Sequence, residues 1–189
     1  MKYFFTAFFL LFSSFSFASD NTPRVIGIEV NENTSRDELR SKVNGAGAVV
    51  IREDDQYWMD RYNINAIVKN GDILELTYSI RTKKLADVKI FFKGNMSPHY
   101  AIALYEKLEK IFGVPSQYNN VKDHRQELFR SFNTRWQSDK QHARIVGTVK
   151  KGIVVNFLFA SNKAILDAEV DESNRLKKLR ESRQVNNVF

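Results

Sequence analysis

Two stretches of this 189-residue chain, residues 73–90 (ILELTYSIRTKKLADVKI) and 153–170 (IVVNFLFASNKAILDAEV), align without a gap at an offset of 80. In each, an apolar-rich strand meets a short polar turn and then a second alternating strand. Identities are few (Ile73 and Ile153, Lys83 and Lys163, Asp87 and Asp167), but the surroundings match as well. Asn70-Gly71 and Lys151-Gly152 stand just before the aligned blocks, where a tight hairpin turn needs the positive φ that glycine adopts cheaply. Strand-like runs precede both, at residues 63–69 and 142–150, and a tryptophan lies further upstream in each half, Trp58 and Trp136. An internal duplication is expected, each copy ending in a meander of at least three antiparallel strands.

Each meander has a helix before it. Thr34 or Ser35 caps the first, with Glu38 three residues after Ser35 completing a capping box. Leu39 and Val43 face inward, and Asn44-Gly45 ends it. The second helix starts at the cap Ser97 with Pro98 in its first turn. Ala101, Leu104, Tyr105, Leu108, Ile111 and Phe112 form its apolar face, and Gly113 with Pro115 stops it. Residues 24–30 read as a strand. The expected fold is therefore α+β: two related α-plus-antiparallel-meander units with the helices packed on one sheet face. The boundaries are residues 19–92 for the first unit and 93–170 for the second, followed by a charged tail over 171–189 that begins as a helix.

Residues 1–18 read as a signal peptide. Lys2 opens a largely apolar run from Tyr3 to Phe12, and Ser16-Phe17-Ala18 supplies the small-x-small cleavage pattern. The run is short of the roughly 20 apolar residues a membrane crossing takes. A soluble, periplasmic product is expected, without a membrane or lipid anchor. No cysteine is present, which excludes disulfides, thiol chemistry and lipidation at a cleavage-site cysteine. Removing Lys2 from the 29 basic residues leaves 28 against 22 acidic ones, so the mature chain is basic. Any charge-selected partner is acidic, such as a protein or an anionic polymer of the envelope; nucleic acid is not among the expected partners.

The capped helix of the form Thr/Ser-x-x-Asp/Glu, ending near Gly or Gly-x-Pro and followed by a meander, resembles the tandem repeats of β-lactamase-inhibitor-like proteins. It is also similar to the single unit in the small subunit of the outer-membrane barrel-assembly machinery. The residues that carry the resemblance are Thr34 to Glu38 with Asn44-Gly45, and Ser97-Pro98 with Gly113-Val114-Pro115. It implies protein binding and transfers no individual residue. The disulfides of the inhibitors and the lipidated cysteine of the assembly subunit have no counterpart here.

Reactive groups do not form a recognisable set. His99, His124 and His142 lack the paired spacing of a helical metal motif, so neither a metal nor a cofactor is expected. Asp123-His124 with Ser97 or Ser131 has no nucleophile elbow. Glu53-Asp54-Asp55 with Asp60 lacks the central Gly and closing Glu of a calcium loop. Basic residues cluster along two hairpins: Arg81, Lys83, Lys84, Lys89 and Lys93, then Arg130, Arg135, Lys140, Arg144, Lys150 and Lys151. The candidate binding residues are Tyr57, Trp58 and Tyr62, aromatics in a polar stretch that suit a loop-edge anchor. The alternative places Trp58 in the core of the first unit, as Trp136 would be in the second. The function expected is non-catalytic, that of a binding, adaptor or inhibitor module using an exposed sheet face and the 53–62 loop. The alternatives are a hydrolase acting on an envelope polymer, with carboxylates or His124 as acid and base, and a binder of anionic polymers.

Overall fold

The computed structural model describes residues 22–117 and 131–186; the expected signal peptide, Asp123 and His124 lie outside the described residues. A two-stranded hairpin, β1 (Arg24–Val25) and β2 (Ile28–Glu29), leads into helix α1 (Arg36–Gly45). Strands β3 (Val49–Glu53), β4 (Met59–Asn63), β5 (Gly71–Tyr78) and β6 (Leu85–Phe92) follow. Helix α2 (Pro98–Phe112) opens the second half, then β7 (Ser131–Gln137), β8 (Gln141–Thr148), β9 (Gly152–Phe159) and the long helix α3 (Ala160–Asn186). The fold is α+β. All seven strands β3 to β9 join one sheet in the order β3-β4-β5-β6-β9-β8-β7, with every neighbouring pair antiparallel.

The two meanders meet through β6 and β9, paired from Asp87 opposite Leu158 to Phe92 opposite Ile153. Gly152 sits where that seam begins. Its φ is +117°, and a Cβ there would stand 2.7 Å from the Phe92 carbonyl oxygen, so only glycine fits. Strand alternation sorts the side chains. On one face the register aligns Tyr62, Leu74, Ile90, Val155, Ile145 and Thr134 in a row across six strands. All six are buried, and this face is the core side. Helices α1 and α2 cover it. Leu39 and Val43 of α1 are fully buried. From α2, Phe112 stacks on Phe157 and Tyr105 lies 5.5 Å from the Trp136 ring.

Both helix starts follow from their caps. The Ser35 hydroxyl accepts from the Glu38 N–H at 3.3 Å, and the Ser97 hydroxyl accepts from the Tyr100 N–H at 3.2 Å. The Glu38 carboxylate turns to Lys42 instead, accepting at 2.6 Å, so its half of the expected capping box is spent on an i,i+4 pair.

Three expected elements differ. The strand read over 24–30 is split by a turn at Ile26-Gly27, both at positive φ, into β1 and β2. The strand read over 63–69 stops at Asn63, whose side-chain oxygen accepts from the Asn65 N–H at 3.0 Å and starts a turn. The second strand expected within 153–170 is helix, so the aligned blocks match as β5 against β9 and diverge after that. The boundary placed at residue 170 falls inside α3. The residues of 160–170 suit either period, and buried contacts of Asn162 and Glu169 select the helix.

The first turns of α3 are pinned to the β5–β6 hairpin by buried polar side chains at helical spacing. The Asn162 amide donates to the carbonyls of Glu32 and Leu85 at 2.6 and 2.8 Å. The Glu169 carboxylate accepts from the Ser79 hydroxyl and from the Ile80 and Arg81 N–H groups at 2.7–3.1 Å. Leu166 is buried between them, whereas residues 173–182 stand in solvent. Among the described residues, no helix is long and apolar enough to cross a membrane.

Candidate functional site

The 53–62 loop is held from beneath by a buried ion cluster. Arg36, in the first turn of α1, donates to Asp60 through Nε and Nη2 at 3.1 and 2.6 Å. Arg40, one helical turn on, donates to the same carboxylate at 3.0 and 2.9 Å and reaches Asp55 at 2.6 Å. Asp60 is fully buried and Arg36 nearly so, at 3% exposure. Burial by itself would raise the Asp60 carboxyl; the hydrogen bonds and charges of Arg40 and Arg36 outweigh it and hold the group below its ordinary value. The acidic stretch 53–60 is thus consumed in part by arginines. Glu53 accepts from the Tyr62 hydroxyl at 2.6 Å and from the Asn44 amide at 3.0 Å. Among the described residues, no group of three or more His, Asp or Glu is placed to hold a metal ion.

The three aromatics of this stretch separate. Tyr62 is fully buried on the core side, which removes it as a surface anchor. Alternation from β4 decides this, since Tyr62 lies opposite Leu74. Trp58 is half-buried, its carbonyl accepting from the Tyr78 N–H at 2.7 Å. Tyr57 is exposed, with the Arg52 guanidinium 3.6 Å above its ring. Trp136 is buried, and its indole N–H donates to the Gly113 carbonyl at 2.8 Å.

The opposite face of the sheet carries the charge. Register places Arg52, Arg61, Glu75, Lys89, Asn156, Arg144 and Arg135 side by side, one from each strand, in a single row across the whole sheet. On the β4–β6 half the cations are compensated. Glu75 accepts from Lys89 at 3.2 Å and lies 3.5 Å from Arg61. Asp87 pairs with Lys89 at 3.5 Å and accepts from the Asn156 amide. Burial pushes the Asp87 carboxyl above its ordinary value of 3.8, only partly opposed by Lys89. Burial alone would lower Lys89, yet Asp87 and Glu75 hold its ammonium above the usual value.

On the β7–β9 half the cations are open. Arg135 and Arg144 are exposed and have no acidic partner among the described residues. They border a depression of about 600 Å³ with Gln117, Asn133, His142 and Asn156. The Arg144 guanidinium donates to the Asn133 amide oxygen at 2.9 Å, which fixes its direction. The segment Ser116-Gln117 closes the rim by pairing with the backbone of Arg135. Among the described residues the lining offers guanidinium, imidazole and amide groups and no carboxylate, a set suited to an anion. Arg135 and Arg144 were legible as a basic hairpin. Gln117, Asn133, His142 and Asn156 join them only through cross-strand register, which a single strand does not reveal. His99 lies apart, exposed in the first turn of α2.

The raised Asp87 carboxyl has a measurable consequence. A folded value above the unfolded one means the charge costs stability at neutral pH, a cost absent below the unfolded value near 3.8. Asp87→Asn keeps an acceptor for Asn156 and should raise the melting temperature at pH 7 by more than the lost Lys89 pair lowers it. In thermal scans against pH, that gain should shrink towards zero below about pH 4.

Comparison with family models, with curated proteins and with solved structures finds no match to this chain.

Proposed function

We propose that the protein is an exported, periplasmic, non-catalytic binding module that docks an acidic envelope partner on the outer face of its sheet. The observation that carries the reading is the row of basic side chains, compensated on one half and open on the other. Arg135 and Arg144 present rigid planar donors, backed by the Asn133, Asn156 and Gln117 amides. Such a surface selects carboxylate groups by bidentate hydrogen bonding and draws an acidic partner in by its field. Tyr57, stacked under Arg52 at the far end of the same row, gives the face an aromatic anchor.

The test is capture of envelope proteins by immobilised protein, compared between the wild type and an Arg135→Glu/Arg144→Glu double variant. Both positions are exposed, so melting temperatures should agree. Reversing two desolvated contacts should weaken the specific capture by about 100-fold or more. Undiminished capture by the double variant rejects the reading. A second reading, an anionic polymer laid along the row, is favoured by the near-linear alignment of cations across the strands. It predicts affinity that falls linearly on a log–log plot against salt and binding to the isolated polymer.

A further inference from the structure

From the other side of the sheet we infer that the protein holds a second, independent site: a pocket for a single-chain fatty acid, with its tail under α2 and its carboxylate on Lys69 and Lys107. A cavity of about 390 Å³ opens there between α2, the turn of the β1–β2 hairpin and residues 67–69. Its floor is the β6–β9 seam, formed by Ile90, Phe92, Val155 and Phe157. Leu104 and Ile111 of α2 make one wall, and Ile26 faces them.

The interior is apolar by construction, because these are the core-side positions of two alternating strands and the inward stripe of an amphipathic helix. The Tyr100 hydroxyl at its border is already committed, donating to the Lys69 carbonyl at 2.6 Å. A polar ligand would lose its water there without compensation, so the occupying part must be hydrocarbon. The volume lies at the small end of ligand pockets, about 300–1,000 Å³. It suits one slim chain and not a two-chain lipid.

The rim has the opposite character. Lys69 and Lys107 are exposed and have no acidic partner among the described residues, while Arg24 beside them is paired with Glu29. Two ammonium groups at the mouth of a greasy slot complement a single terminal carboxylate. The Tyr100 bond fixes the backbone of Lys69 at that mouth.

Ile26 adds an independent mark. It sits at φ +48°, a left-handed conformation that β-branched residues resist, followed by Gly27 at +83°. The flanking pairs Arg24 with Glu29 and Val25 with Ile28, and burial of Val25, hold it there. Strain of this kind concentrates where a side chain must be aimed at a ligand. Here the aimed side chain lines the cavity.

Calorimetric titration of the purified protein with laurate, kept below its micelle threshold, tests the site. A saturable one-to-one isotherm is expected, with dodecanol binding about tenfold more weakly or worse because it lacks the charge. The Lys69→Glu/Lys107→Glu variant changes only exposed positions. It should lower laurate affinity by about tenfold or more while leaving dodecanol unchanged. Leu104→Trp, which fills the slot, should abolish binding of both; if it does not fold, the rim variant decides. No saturable laurate binding to the wild type overturns the inference. So does unchanged laurate affinity in the rim variant, or an equal loss for both ligands. None of these outcomes depends on Arg135 or Arg144, so this site and the outer face stand or fall separately.

Discussion

Replacing Asp60 with Ala should cost about 3–5 kcal/mol, because it leaves the nearly fully buried Arg36 only the exposed Asp55, 4.0 Å away, as countercharge. For a chain of this size that is a drop in melting temperature of roughly 6–20 °C. Asp60 accepts four hydrogen bonds from two guanidiniums, and Arg36 also donates to the Asp54 carbonyl at 2.9 Å. Loss of the carboxylate therefore frees the base of α1 and the 53–59 loop together. The pH dependence has a definite sign. A carboxyl held below its unfolded value stabilises fully above that value, near 3.8, and the contribution is lost as pH falls through the folded value. Wild type and Asp60→Ala should thus converge in stability as the solution is acidified below about pH 4. Urea titrations at pH 7 and pH 3 measure both points; equal midpoints at pH 7 would contradict the assigned role.

Trp136→Ala should cost about 3–5 kcal/mol, the usual penalty for removing a buried large aromatic. The indole is 1% exposed, packs on Tyr105 and donates to Gly113. It therefore joins β7 to both the middle and the end of α2. Trp136→Phe should recover most of the packing and leave the Gly113 carbonyl short of a donor, a loss of about 1 kcal/mol. Chemical denaturation of the two variants separates ring from hydrogen bond: equal losses would place the whole effect in the N–H.

Helix α2 was legible from its residues because cap, stripe and stop signals agree: Ser97, the 101–112 pattern and Gly113 all report the same boundaries. Strands β5, β6, β8 and β9 were legible from alternation beside Gly71 and Gly152. Residues 163–170 misled because Ala164, Leu166, Ala168 and Val170 alternate as well as Asn162, Leu166 and Glu169 recur at helical spacing. Two periods fit one short segment, and tertiary contacts with Ser79, Leu85 and Glu32 choose the helix. Tyr62 misled for a related reason. Its polar neighbours suggest a loop, while the pairing of β4 with β5 turns every second side chain inward. The outer row was hidden because its members come from seven strands spread over residues 52–156. Sequence gives their type; only register brings them into line.

The seam between β6 and β9 bears on the order of assembly. Val88 and Phe157 face each other across 69 positions of chain, so β6 has no neighbour on that side until β9 has been made. A nascent chain would carry the Leu85–Phe92 edge uncovered until residues 93–159 have been added, with Ile90 and both phenylalanines available to any other strand. Closing so long a loop before any reward is slow. Refolding should accordingly be limited by this closure, and its speed set by residues of the seam rather than by either helix.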